Sequence, residues 1–511
     1  MKRSALSGVL AHISANLVVA VSALLTPAVL APLLGLESYA FVAFYLHLAV
    51  LLLLFDLGLS GLLLRQLAEA RARDPLDKSV AAAGLLGKRL ERTYWGIGLC
   101  LALGLAIAAR PIAEHWLNVS PSLAPRTPGI LRIMVIAFAL QWPLFLYQNG
   151  LMGLGRQIEA SVLSACAAVL RLAVGYVAVA ATRDVGAYFE ILAACNLIIT
   201  ACAYAVYHRA LSAAGLARPA SGPRLRPFLG RQGEYALTLA LIMMLGYVLS
   251  SIDRLLAAKV LPLGLYAGYA IVCTLSQGIS LGTSAVVGAC LPRLVQAFSR
   301  EDRQAYEGQL FLGQLAVCAV CVPIYVVVAF APGPLYQYLA GQEAASRDIQ
   351  NALTIHASGT LLHTLMVLLF AAHQSQQRLR GWLLMTFAIA AGALAYALKF
   401  RPQWGVVGLA YLWLSICAAQ MLIGVAISFA LRYHELSLRG TMRILAYAVQ
   451  ALGGIAAGYL AFAAFGKVSV SFPLTAVAAA AASFIVAGGF LLVARKVSDR
   501  YADKALNHAR T

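Results

Sequence analysis

Charge is scarce in this chain, and acid is scarcer than base. Of 511 residues 12% are charged, 20 Asp and Glu against 39 Lys and Arg, for a formal net charge of +19. A water-soluble domain of this length needs a polar surface, and this composition cannot supply one. Long polar stretches are missing too, so no loop is large enough to house a sugar-transfer site. The sequence has no G-x-x-x-x-G-K-[ST] to cradle a nucleotide's phosphates, no H-E-x-x-H, and no clustered Cys/His spacing for a metal. These gaps argue against an enzyme and imply no cofactor and no metal. Nor does the basic excess point to nucleic acid, because Lys and Arg fall between hydrophobic runs and build no continuous patch.

What is abundant is hydrocarbon. Hydrophobic residues make up 61% of the chain and the mean hydropathy is +0.81, as expected of a protein dissolved in lipid. Apolar segments of about 20 residues recur near 8–34, 39–64, 93–110, 130–152, 158–181 and 185–207. They resume near 235–259, 265–291, 309–331, 349–372, 381–400, 405–431, 442–465 and 470–494. The fold class they imply is an all-α polytopic membrane protein of about fourteen transmembrane helices, or twelve if weak pairs are miscounted. The basic start MKRSALSGVLAHISANLVVAV has the look of a secretory signal. His12 and Asn16 interrupt its apolar region, however, and it runs on through Pro27 to Leu34, which predicts an uncleaved first helix. All nine cysteines lie within apolar segments. Cys318 and Cys321 have a metal-like spacing but no second pair, and read as buried packing.

Orientation is set by charge. With the N-terminus inside, roughly 28 Lys and Arg fall in cytoplasmic segments and about 8 outside, which predicts both termini in the cytoplasm. The inner load gathers at 65–92, 209–231, 293–303 and 495–510, and the tail reads as a charged extension of the last helix. The linker RALSAAGLARPASGPRLRPFLGR, with Pro219, Pro223 and Pro227, is the natural divide. The expected organisation is a six-helix lobe over 1–208, a cytoplasmic linker at 209–233, a second six-helix lobe over 234–432, and two extra helices with a basic tail over 433–511. The longest outer connection, 110–129, holds the sequon Asn118-Val-Ser120 and no periplasmic domain. An internal repeat supports two halves in one orientation, related by a pseudo-twofold along the membrane normal. Gly35-Leu36-Glu37-Ser38-Tyr39-Ala40 and Gly264-Leu265-Tyr266-Ala267 open corresponding spans, whose exits LLLRQLAEA (62–70) and CLPRLVQAF (290–298) also correspond.

Ionisable groups inside the spans carry most weight, since each costs about 2.5–3.5 kcal/mol or more at mid-membrane unless paired or wet. Arg171 lies near mid-depth of the fifth span, with Ser161, Ser164, Ala168 and Gly175 on its face. It is either a cation lining a wet cavity, where phosphate would bind, or the partner of Glu190 or Asp56. Arg254 shares a polar face with Tyr247, Ser250 and Ser251; it lines the same cavity or snorkels to the outer interface. His12 and Asn16, one turn apart, are cavity-lining or structural. Cys273, Gln277, Ser280 and Ser284 follow the helical period and serve either the cavity or helix packing. Asp56, in the inner third of the second span, could carry a coupling proton, fix a neighbouring helix, or reach the headgroups.

LTPAVLAPLLGLESYA, DLGLSGLLLRQLAEAR and the GLYAGYA opening of the eighth span, with Asn16, the overall length, the basic middle linker and the extra terminal helix pair, resemble the Wzx-type O-antigen and polysaccharide flippases. These belong to the multidrug/oligosaccharidyl-lipid/polysaccharide exporter superfamily. The resemblance implies two six-helix lobes and alternating access across a bacterial inner membrane. It implies an undecaprenyl-pyrophosphate-linked oligosaccharide as substrate, with membrane lipids and polysaccharide polymerase machinery as further partners. It also implies a cationic cavity, to which Arg171 and Arg254 are suited, because guanidinium presents a fork to phosphate oxygens. The alternative within the superfamily is a cation-coupled exporter of drugs or small metabolites, which would want more intramembrane acid than this chain has. A glycan polymerase or ligase would need a larger outer loop than 110–129.

Overall fold

Backbone N–H and C=O groups in hydrocarbon must bond within their own segment, and the chain obeys this by forming helices throughout. The computed structural model describes residues 2–56, 58–71, 78–215, 231–340, 346–399, 402–430, 438–466 and 472–489, and contains no strand among them. The early helices are α1 (Lys2–Leu34), α2 (Leu36–Leu52), α3 (Leu59–Arg71), α4 (Lys78–Pro111), α5 (Thr127–Gln141), α6 (Leu144–Gly153), α7 (Gln157–Thr182) and α8 (Val185–Ala213). Next come α9 (Arg231–Leu249), α10 (Ile252–Val260), α11 (Leu263–Gln277), α12 (Thr283–Ser299), α13 (Arg303–Phe330) and α14 (Pro332–Ala340). The last are α15 (Arg347–Ser375), α16 (Arg380–Lys399), α17 (Gly405–Ala430), α18 (Leu438–Gly466) and α19 (Phe472–Gly489). The expected linker core at 216–230 and the basic tail at 495–510 lie outside the described residues.

Among the described residues, eleven helical segments are long and apolar enough to cross a membrane. Many present large apolar side chains outward: Ile107 is 79% exposed and Leu398 80%, an arrangement that lipid solvates and water would not. The remaining three runs expected from the sequence are also helical, but differ in form. The run at 442–465 is α18, whose apolar core is the shorter Gln450–Ala464. Those at 39–64 and 265–291, expected as continuous spans, are each interrupted. α2 gives way to a 3-10 turn at Leu53–Asp56 before α3, and α11 to one at Gly278–Ser280 before α12. The first break has a local cause. Gly58 sits at φ +76°, a conformation open to glycine, and the Asp56 carboxylate takes the Ser60 N–H at 3.1 Å from the first turn of α3. Both spans of the sequence repeat thus share the order helix, 3-10 turn, helix.

Three other helix starts carry the side-chain caps that their sequences suggest. Asp184 accepts from Gly186 N at 2.8 Å, Asp302 from Ala305 N at 2.9 Å and Ser346 from Ile349 N at 3.3 Å.

The described residues form two compact units. One takes in residues within 1–240 and 254–270; the other takes in 241–253, 271–338 and residues within 342–511. In the first, α7 packs against α1 and α8, and α5 against α8. The α3–α6 contact is close because Gly153 lacks a side chain: a Cβ there would lie 2.5 Å from the Leu64 carbonyl oxygen. In the second, α15 packs on α17 and α13, and α18 docks on α13. That docking uses Gly454-x-x-x-Gly458, which admits Val322 and Val326; a Cβ at Gly458 would stand 2.6 Å from a Val326 methyl. Gln450, fully buried, donates to the Leu315 carbonyl at 3.1 Å in the same contact.

Candidate functional site

Arg171 lies fourteen residues into α7, about 21 Å along a helix of 26 residues, and so near the middle of its span. Its Nε donates to Asn196 Oδ1 of α8 at 2.7 Å. Asn196, fully buried, donates in turn to the Ala137 carbonyl of α5 at 2.8 Å and to the Tyr45 hydroxyl of α2 at 3.3 Å. Tyr45 donates to Gln141 Oε1 at 2.6 Å. Four helices of the first unit therefore converge on one polar chain, and each link meets a group that burial would otherwise leave unsatisfied.

The far end of the guanidinium is different. Neither Nη atom takes part in a hydrogen bond with the described residues, and Nη2 is buried. The groups that act on it electrostatically are Tyr45, Cys195 and Tyr188, all neutral in ordinary conditions, and none is a carboxylate. Glu190 is exposed on α8, and Asp56 is engaged elsewhere, so the pairing considered from sequence is not made. The helix face expected around Arg171 is packed rather than open. Ser161 is buried, Ser164 accepts from Gln148 at 3.0 Å, and Gly175 lies under the Tyr188 ring, where a Cβ would come within 2.8 Å. A cation tied at Nε, with no partner at its fork among the described residues, keeps donor capacity for an anion.

The other expected residues are not part of this network. Asp56 accepts from Ser60 N at 3.1 Å, Ser60 Oγ at 3.0 Å and Tyr94 Oη at 2.8 Å, which joins the start of α3 to α4. Arg254, at 5% exposure, is buried near the start of α10, which follows a turn at Ser250 and Ser251. Ser250 Oγ donates to its own helix at the Tyr247 carbonyl, at 3.0 Å. Gln277 is exposed at the end of α11 and Asn16 is exposed on α1, while the side chain of His12 lies outside the described residues. The helical period through Cys273, Ser280 and Ser284 is interrupted, since α11 stops at Gln277; Ser280 bonds Thr364 at 2.8 Å.

Two polar groupings were not among those expected from the sequence. Glu91 of α4 accepts from Tyr147 at 2.8 Å and faces His208 Nε2 at 3.2 Å, with Trp95 donating to Tyr147 at 3.1 Å. The Glu91-x-x-x-Trp95 spacing was the available signal. In the second unit Asp253, Cys273 and His356 converge from α10, α11 and α15.

Comparison with known proteins bears on the whole fold. The family model described as polysaccharide biosynthesis protein matches residues 5–298. Sequence comparison with curated proteins finds no match. Among solved structures, the chain is similar to the lipid II flippase MurJ in an inward closed conformation, with a TM-score of 0.62, 10% identity, and 97% of this chain and 99% of that one covered. An inward-facing multidrug resistance MATE family transporter gives 0.60 and 14%, covering 85% and 95%. The MATE multidrug transporter DinF-BH gives 0.62 and 13%, covering 84% and 96%. At these identities the likeness establishes the fold, and with the family match it bears out the resemblance read from the sequence. The chain is a multi-pass membrane protein that belongs to the polysaccharide biosynthesis protein family and has the fold of the multidrug/oligosaccharidyl-lipid/polysaccharide exporter superfamily.

Proposed function

We propose that this protein moves an undecaprenyl-pyrophosphate-linked oligosaccharide, an O-antigen or exopolysaccharide repeat unit, from the inner to the outer leaflet of a bacterial inner membrane by alternating access. The observation that carries this reading is Arg171, a permanent cation at mid-span whose fork has no partner among the described residues and no neighbouring carboxylate. An exporter of cations would be served badly by such a group, whereas a pyrophosphate supplies the acceptor oxygens it lacks. Arg254, Ser250, Gln277, His12 and Asn16 are proposed as further substrate contacts, met at other stages of the cycle. Asp56 is the proposed coupling carboxylate. Protonation would turn an acceptor of three hydrogen bonds into a donor, and would loosen the start of α3 from Tyr94. Both termini are assigned to the cytoplasm on the distribution of Lys and Arg, and polysaccharide polymerase machinery is the proposed acceptor of the product.

The test is reconstitution. Proteoliposomes loaded with a pyrophosphate-linked oligosaccharide on one leaflet should expose it on the other, as read by an impermeant glycan-cleaving reagent. Transfer no faster than in protein-free vesicles, across proton and sodium gradients of either sign, would refute the proposal.

A further inference from the structure

We propose that Asp253, Cys273 and His356 form a binding site for a borderline-soft divalent metal ion of the zinc class, inside the second unit and separate from Arg171. All three side chains are fully buried, at 0% exposure. They come from three helices and are remote in sequence, so only the fold assembles them.

The geometry is that of a ligand set. His356 Nε2 and Asp253 Oδ2 lie 3.4 Å apart, Cys273 Sγ and the same oxygen 3.7 Å, and all three donor atoms fall within 4.8 Å of one another. With zinc's usual bond lengths, a tetrahedron has N–O edges of about 3.3–3.5 Å and O–S edges of about 3.5–3.7 Å. Two measured edges match those values, and the third, from sulfur to nitrogen, lies within 4.8 Å.

The chemistry selects the class of ion. Sodium, magnesium and calcium prefer shells of oxygen, and two of these three donors are nitrogen and sulfur. A divalent ion held by a carboxylate, a thiolate and a neutral imidazole has zero net charge, which suits a buried site in an apolar helix bundle. The thiol proton is released to solvent on binding.

The surroundings hold the donors in place. The Trp413 ring of α17 stacks on the His356 ring at 5.4 Å and 16°, and its Nε1 donates to Thr360 Oγ1 at 3.0 Å, one turn beyond His356. Gly359 makes room for that ring: a Cβ there would meet Trp413 Cδ1 at 2.9 Å. Cys417, one turn beyond Trp413 on the same helix, is also fully buried.

The experiment uses the full chain, expressed in zinc-supplemented medium because the site is enclosed, and purified in detergent without a polyhistidine tag. The expected result is about one zinc per chain, with X-ray absorption showing sulfur at about 2.3 Å beside nitrogen and oxygen at about 2.0–2.2 Å. Cys273→Ser should remove a sulfur from the shell, and His356→Gln should lower the bound zinc at least tenfold. Cys318→Ser, outside the cluster, should change neither. Should Cys273→Ser not accumulate, the wild-type spectrum decides alone. A sulfur-free shell, zinc far below one per chain, zinc unaffected by Cys273→Ser, or stabilisation by sodium or acid alone would each overturn the proposal.

Discussion

Replacing Arg171 separates what its two ends do. The Nε end is structural: without it Asn196 Oδ1 loses its charged donor, a loss of about 1–3 kcal/mol of stability, offset in part because a guanidinium is no longer buried. The Nη fork is what a pyrophosphate would meet. Two charge-assisted hydrogen bonds there amount to about 3 kcal/mol, or on the order of a hundredfold in transport efficiency at limiting substrate. Three variants divide these contributions. Arg171→Ala should lose both and transport at background. Arg171→Lys keeps the charge as a single point without the fork, and should retain about a tenth of the activity. Arg171→Gln is the sharpest, since its amide can still donate to Asn196 while the charge is gone; it should accumulate normally and yet transport no better than the alanine variant. The assay is leaflet transfer in proteoliposomes with reconstituted protein matched by quantity. Wild-type transfer by a well-folded Arg171→Gln would refute the assignment.

Other outcomes come from the packing and the polar links. Gly458→Val should detach α18 from α13 at a cost of about 1–3 kcal/mol, seen as a lower melting temperature in detergent, and Val326→Ala should restore part of the loss in the double variant. Asp56→Asn keeps the shape that accepts from Tyr94 while removing the titrating group, so transport should lose its dependence on the proton gradient; an unchanged dependence would remove Asp56 from coupling. Ser122, exposed in the 110–129 connection, when changed to Cys should react with an impermeant maleimide in intact cells. Labelling only after the membrane is opened would reverse the assigned orientation.

The fold class was legible because a bilayer demands long apolar helices, and a chain with 12% charge has few other ways to fold. The interruptions at Leu53–Asp56 and Gly278–Ser280 were not, since apolar periodicity runs through them; the first depends on one glycine conformation and one carboxylate. Arg171 stood out because a mid-span cation is expensive wherever it sits. Its network could not be read, since Asn196, and through it Tyr45 and Gln141, come from three other helices, and only tertiary packing sets their distances. Counting residues left Arg254 either lining the cavity or snorkelling to the outer interface; its burial just after a turn at Ser250 and Ser251 leaves no mark in hydropathy. Asp253, Cys273 and His356 escaped for the same reason, with no local spacing to betray them.

The most direct test of the central claim is lipid analysis of cells depleted of this protein, with an impermeant reagent reporting which leaflet holds the polyprenyl-pyrophosphate oligosaccharides. The account predicts single repeat units accumulating on the inner face, cleared by re-expression of the wild type and not by Arg171→Gln. Single units that build up on the outer face, or normal outward exposure with normal surface polysaccharide, would contradict it.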